Sequence, residues 1–165
     1  MIRQTWPLWA VLLPFVASCS SPPGRYREAT VNNSEGRLCF GVPDTRETRS
    51  APPEIAIVSL SEVGRGLYPL WQRRFLEEHV PEPALPPDKC IPYASGPAPG
   101  PALRAGTYYQ VLLSGYTPGD PHKKGEGEKR VFTSCFHLRE DVDGTGLRPV
   151  LVICGKVSAS SLPPA

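Results

Sequence analysis

The residues with chemical potential in this chain are its five cysteines and three histidines. Cys39, Cys90, Cys135 and Cys154 are widely spaced, and none forms a C-x-x-C pair. That spacing argues against a zinc knuckle or a thioredoxin-like redox centre, both of which need two sulfurs held close by a short turn. His79, His122 and His137 share no spacing that would bring imidazoles together. No G-x-S-x-G elbow, H-E-x-x-H helix or phosphate-binding P-loop occurs. Asp141-Val142-Asp143-Gly144 has the alternating carboxylates that begin a calcium loop, but Val152 stands where such a loop needs a bidentate glutamate. Asp-Gly is also what a tight hairpin turn selects. No catalytic residue, metal site or cofactor is therefore assigned, and an enzyme is not expected.

Cys19 sits in a different context. Arg3 is the only charge before Arg25, and Leu8 to Val16 is an apolar run interrupted by Pro14. A basic start, a short apolar centre and small residues are the layout of an export signal. The run is shorter than the roughly 20 residues that a membrane-spanning helix needs. Val16-Ala17-Ser18-Cys19 then matches the bacterial lipobox, an aliphatic residue and two small ones before a cysteine. The thiol accepts a thioether-linked diacylglycerol, and cleavage frees the Cys19 amine for a further acyl chain such as palmitate. Two or three chains anchor a protein stably where one does not. The sequence thus predicts a signal peptide over residues 1–18 and lipid attachment at Cys19. A disordered tether would run over residues 19–25, through Ser20-Ser21-Pro22-Pro23-Gly24. Ser20, in place of an aspartate, favours sorting to the periplasmic side of the outer membrane.

An exported domain meets an oxidising compartment, so the four later cysteines are expected as disulfides. Register selects among the three pairings. Val131 to Leu138 and Leu147 to Val157 both read as strands, with a turn between them. A hairpin centred between Gly144 and Thr145 sets Cys135 opposite Cys154. It also sets Phe136 opposite Ile153 and Leu138 opposite Leu151 on the other face. Cys135–Cys154 is therefore expected, which leaves Cys39–Cys90.

The rest of the chain must build the scaffold for these bonds. Its 21 prolines disfavour a helical bundle, because proline cannot donate a backbone hydrogen bond. Strands are expected at Arg25 to Val31, Arg37 to Val42, Glu54 to Leu60 and Gly106 to Tyr116. Asn32 to Gly36 reads as a turn and Pro43 to Pro53 as a polar loop. In Glu54 to Leu60, Ile55, Ile57 and Ser59 would share one face and Ala56, Val58 and Leu60 the other. Leu67 to Val80 has two readings: a short helix with Leu70, Phe75 and Leu76 on one face and Glu77 and Glu78 outside, or, preferred, a strand from Tyr68 to Phe75 and then one turn. Trp71 is expected in the core with Arg73 and Arg74 facing water, a binding hot spot being the alternative. The proline-rich stretches around Cys90-Ile91-Pro92-Tyr93 read as extended connections. Thr117 to Glu128, with His122, Lys123 and Lys124, reads as a polar loop. The fold class expected is all-β. An antiparallel β-sandwich of about seven strands over residues 26–158 is predicted, immunoglobulin-like among the options, with a flexible tail over 159–165. A net charge of +2 without a basic cluster gives no support for nucleic-acid binding.

The order of short motifs also resembles a family. The lipobox is followed by Leu38-Cys39-Phe40, Pro53-Glu54-Ile55, Cys90-Ile91-Pro92, Gly106-Thr107-Tyr108-Tyr109-Gln110-Val111 and Arg130-Val131-Phe132. This series is similar to that of small enterobacterial and related periplasmic lipoproteins labelled as type VI secretion immunity proteins. The resemblance spans roughly residues 28–140. The chain departs from it in the insert around Pro81 to Pro101 and in Cys135 and Cys154. The resemblance implies binding rather than catalysis: a lipid-anchored protein that covers and neutralises a toxic effector delivered to the periplasm. The expected partners are the bilayer, through acylated Cys19, and a protein. An accessory lipoprotein of an envelope or secretion assembly is the alternative from the same features.

Overall fold

The computed structural model describes residues 26–34, 36–66, 68–118, 127–141 and 146–157. The expected signal peptide, Cys19, the tether, the loop carrying His122, Lys123 and Lys124, the turn residues 142–145 and the tail from Ser158 onwards lie outside the described residues.

Nine strands form two facing sheets among the described residues. The larger sheet runs β1 (Tyr26–Glu28), β8 (Lys129–Glu140), β7 (Tyr108–Tyr116), β4 (Glu54–Glu62) and β5 (Trp71–Arg74). A further strand, β9 (Leu147–Val152), pairs with β8. The smaller sheet is β2 (Thr30–Ser34), β3 (Arg37–Gly41) and β6 (Ile91–Pro92). The sandwich expected from the sequence is the fold observed. All pairings are antiparallel except β1 with β8, which makes the larger sheet mixed.

Strand alternation supplies the core. On β7, Tyr109, Val111 and Leu113 point inward, opposite Phe136, Ser134 and Phe132 of β8. The smaller sheet contributes Val31, Phe40 and Ile91, which lie opposite one another in register. Phe40 spans the two layers, with its ring 6.4 Å from Phe136 and 6.3 Å from Trp71. Fully buried aromatic side chains of this size contribute a large share of the apolar area removed from water.

Three local departures from simple alternation shape the surface. The first is in β4, whose register slips between Ile55 and Ile57. The extra residue moves Ile55 onto the same buried face as Val58 and Leu60, instead of the face of Ile57 expected from strict alternation. Gly115 sits opposite this bulge, and a Cβ there would lie 2.0 Å from the Glu54 carbonyl oxygen. Only glycine permits that approach.

The second departure is at Ala29. The expected single strand from Arg25 to Val31 divides there, and the chain crosses from the larger sheet to the smaller. Ala29 is buried; its N–H donates to the Thr133 carbonyl at 3.2 Å, and its carbonyl accepts from Ser134 Oγ at 2.6 Å. The second half continues to Ser34, so residues 32–34 are strand and not turn.

The third concerns the last hairpin. Cys135 lies opposite Val152, Phe136 opposite Leu151 and Leu138 opposite Pro149. The expected register was therefore displaced by two residues. On the same edge of β8, β1 occupies positions 131–133, and β9 ends at Val152, opposite Cys135. The chain turns aside after Val152 into a single 3₁₀ turn, Cys154–Lys156. That turn brings Cys154 back to within 5.0 Å of Cys135, Cα to Cα, and the predicted bond forms. A second difference is a short helix, α1 (Arg46–Ser50), inside the expected polar loop. Thr45 caps it, accepting from the Thr48 N–H, while Thr48 Oγ1 accepts from the Thr45 N–H.

Candidate binding grooves

The described cysteines are all in disulfides, and the two described histidines lie on separate elements. Cys39 of β3 bonds to Cys90 with Cα atoms 5.6 Å apart, tying the smaller sheet to the proline-rich segment. His79 is exposed on the turn after β5, and His137 on β8 is half-buried beneath the Tyr108 ring, with centroids 5.3 Å apart. His137 Nε2 is buried without a hydrogen-bond partner, and burial, then the nearby Arg139, lowers its pKa. No group of three potential metal ligands occurs among the described residues. Asp141 closes the β8–β9 hairpin, its N–H donating to the Gly146 carbonyl at 2.9 Å.

Trp71 is in the core as expected, but its neighbouring arginines differ. Arg74 is exposed, whereas Arg73 is half-buried and paired with Glu78 at 2.9 Å. Arg73 also donates to Ser95 Oγ at 3.2 Å and lies over the Phe75 ring. Trp71 Nε1 donates to the Ala98 carbonyl at 3.3 Å. Together these contacts fasten the proline-rich chain to β5.

That fastening builds a groove at one mouth of the sandwich, of about 580 Å³. Leu38, Tyr93, Leu103, Leu138 and Leu147 form its apolar floor, and residues 36–37, 94 and 100–102 form its rim. Each wall comes from a different part of the chain. The Tyr93 N–H donates to the Leu38 carbonyl at 2.7 Å, and its hydroxyl donates to the Pro101 carbonyl at 2.7 Å. Gly100 packs against the Tyr93 ring so closely that a Cβ would lie 2.4 Å from it. Ala94 holds a left-handed backbone conformation, φ 55°, at the rim, a strain that a non-glycine residue accepts only when its surroundings enforce it. Burial, with Tyr109 a lesser cause, pushes the Tyr93 pKa up to about 12. The hydroxyl therefore stays neutral as a hydrogen-bonding group.

A second, shallower groove of about 510 Å³ lies on the outer edge of the larger sheet, where the ends of β1 and β9 meet on β8. Tyr26, Leu151 and Ile153 line it, 61%, 50% and 65% exposed. Leu151 and Ile153, expected opposite Leu138 and Phe136, are exposed, and Ile153 lies past the end of β9. Leu147 lines the mouth groove and Leu151 the edge groove, so the two open toward opposite ends of β9.

A third cluster joins α1 to the larger sheet. Arg130 pairs with Glu47 and with Glu128, and its Nε donates to Thr117 Oγ1 at 2.9 Å. Glu47 also meets Arg27 at 3.7 Å. These charges are matched to one another and hold the start of β8 in place.

The arrangement is that of a disulfide-stapled β-sandwich with preformed apolar surfaces. No family model, curated protein or solved structure matches the chain.

Proposed function

We propose that this protein is an exported, lipid-anchored binding protein of the bacterial periplasm, and that its partner is a toxic effector protein which it neutralises. One observation chiefly supports this reading. The two disulfides use all four cysteines after Cys19, so neither bond involves it. Such a division suits a domain oxidised after export and a cysteine reserved for lipid. Binding, for its part, needs a rigid surface, because ordering flexible groups on association costs affinity. The mouth groove has that rigidity: its floor is packed on the core, and its rim is tied by Tyr93, Pro101 and the nearby Cys39–Cys90 bond. Arg37 and Ala102 stand exposed on its rim, where a partner would meet them.

Genetic protection tests the reading. A toxin-like gene beside this one is expressed with a periplasmic export signal in cells that have or lack the protein. Protection is expected from the intact protein, and a weakened effect from an Arg37→Glu, Ala102→Glu variant that folds normally. Equal survival with and without the protein would rule out immunity to that toxin. An envelope-assembly defect in the deletion strain, without toxin, would instead favour an accessory role.

A further inference from the structure

We infer that the edge groove formed by Tyr26, Leu151 and Ile153 is the face that rests on the membrane. This rests on lipid attachment at Cys19 and adds to it an orientation for the domain. Tyr26 is both the first described residue and a wall of the groove. Cys19 precedes it by seven residues, and a fully extended chain of that length reaches only about 25 Å. That tether joins the anchor directly to a wall of this groove, whereas the mouth groove, whose lining begins at Gly36, lies further along the chain. Tyr26, Leu151 and Ile153 present exposed apolar surface in one place. Tyrosine suits the boundary, since its ring is apolar and its hydroxyl remains among headgroups. The fringe is charged: Arg27 and Lys156 are exposed beside the groove, as is Glu28.

Three side chains bind a bilayer weakly on their own. An anchor supplies the missing term, because it converts docking into an intramolecular step at high effective concentration. Orientation follows. With the edge groove down, the mouth groove is displaced from it along β9, toward Leu147. The exposed edge of β1, a ready template for strand pairing in solution, is also shielded.

The test uses the mature lipidated protein in phosphatidylethanolamine–phosphatidylglycerol vesicles, with and without brominated acyl chains. Trp71 is buried and serves as an internal reference. Ile153→Trp places a reporter in the groove. Leu76→Trp places one on the exposed turn after β5, at the far edge of the same sheet. Ile153→Trp is expected to lose roughly half its added emission to bromine and to shift to shorter wavelength, as an interfacial side chain does. Leu76→Trp should be unaffected. If acylated, vesicle-bound Ile153→Trp is no more quenched than Leu76→Trp, the orientation is wrong while the anchor stands. Cross-linking of residue 153 between two copies, without quenching, would also overturn it in favour of a dimer face. Absence of acyl mass on Cys19 would remove both the anchor and this inference.

Discussion

Replacing Cys39 and Cys90 together by alanine should lower stability by an amount set mainly by the unfolded chain. The bond joins residues separated by 51 positions, so its loss returns the freedom of a long loop to the denatured state. Loop-closure entropy puts this at about 4 kcal/mol. Cys39 is buried, but alanine keeps its Cβ and introduces no polar atom, so the cavity adds little. At roughly 3–5 °C per kcal/mol for a domain of this size, Tm should fall by about 15 °C. The 19-residue separation of Cys135 and Cys154 gives about 3 kcal/mol by the same relation, hence a smaller fall. Calorimetry of the two double variants, with and without reductant, measures both. A Cys39→Ala, Cys90→Ala protein melting within about 3 °C of the parent would refute the loop-entropy reasoning.

Other outcomes follow from the same contacts. Gly115→Ala should destabilise by about 3 kcal/mol or prevent folding, because the new methyl meets the Glu54 backbone and not a movable side chain; urea denaturation checks this. Tyr93 has a raised pKa, about 12, so its contribution is intact below pH 10 and is lost as pH rises through that folded value. Absorbance titration should show a late-ionising tyrosine that Tyr93→Phe removes, and an unchanged titration would count against the raised Tyr93 pKa. His137 has a lowered pKa, so its effect runs the other way. Stability is present above pH 6.5 and declines as pH falls through the lower folded value; His137→Gln should flatten that acid slope in chemical denaturation, and an unaltered slope would reject it.

Much of the sandwich was legible because alternation is a strong signal. Tyr109, Val111 and Leu113 identify β7 and its buried face by themselves. The disulfide pairing was legible for a related reason, since the hairpin brings Cys154, just past the end of β9, beside Cys135. The early end of β9 was hidden, because β1, a strand more than a hundred residues away, occupies the same edge of β8. The bulge at Ile55 to Ile57 was hidden too, since nothing local distinguishes it from regular strand. Helix α1 had a visible cap in Thr45 and Thr48, but five residues are too few to show a helical period. The mouth groove could not be read at all. Its walls come from residues 36–38, 93–94, 100–103, 138 and 147, and only the assembled fold brings them together.

The proposed lipid at Cys19 is the central claim, since it would place the domain in its compartment and set the face toward the membrane. Metabolic labelling with an alkyne fatty acid, followed by intact mass of the purified mature chain, tests it directly. The account predicts a labelled protein that begins at Cys19 and carries acyl mass on it, with labelling abolished in Cys19→Ser while both disulfides persist. Labelling that survives in Cys19→Ser, or a mature wild-type chain without acyl mass, would contradict it.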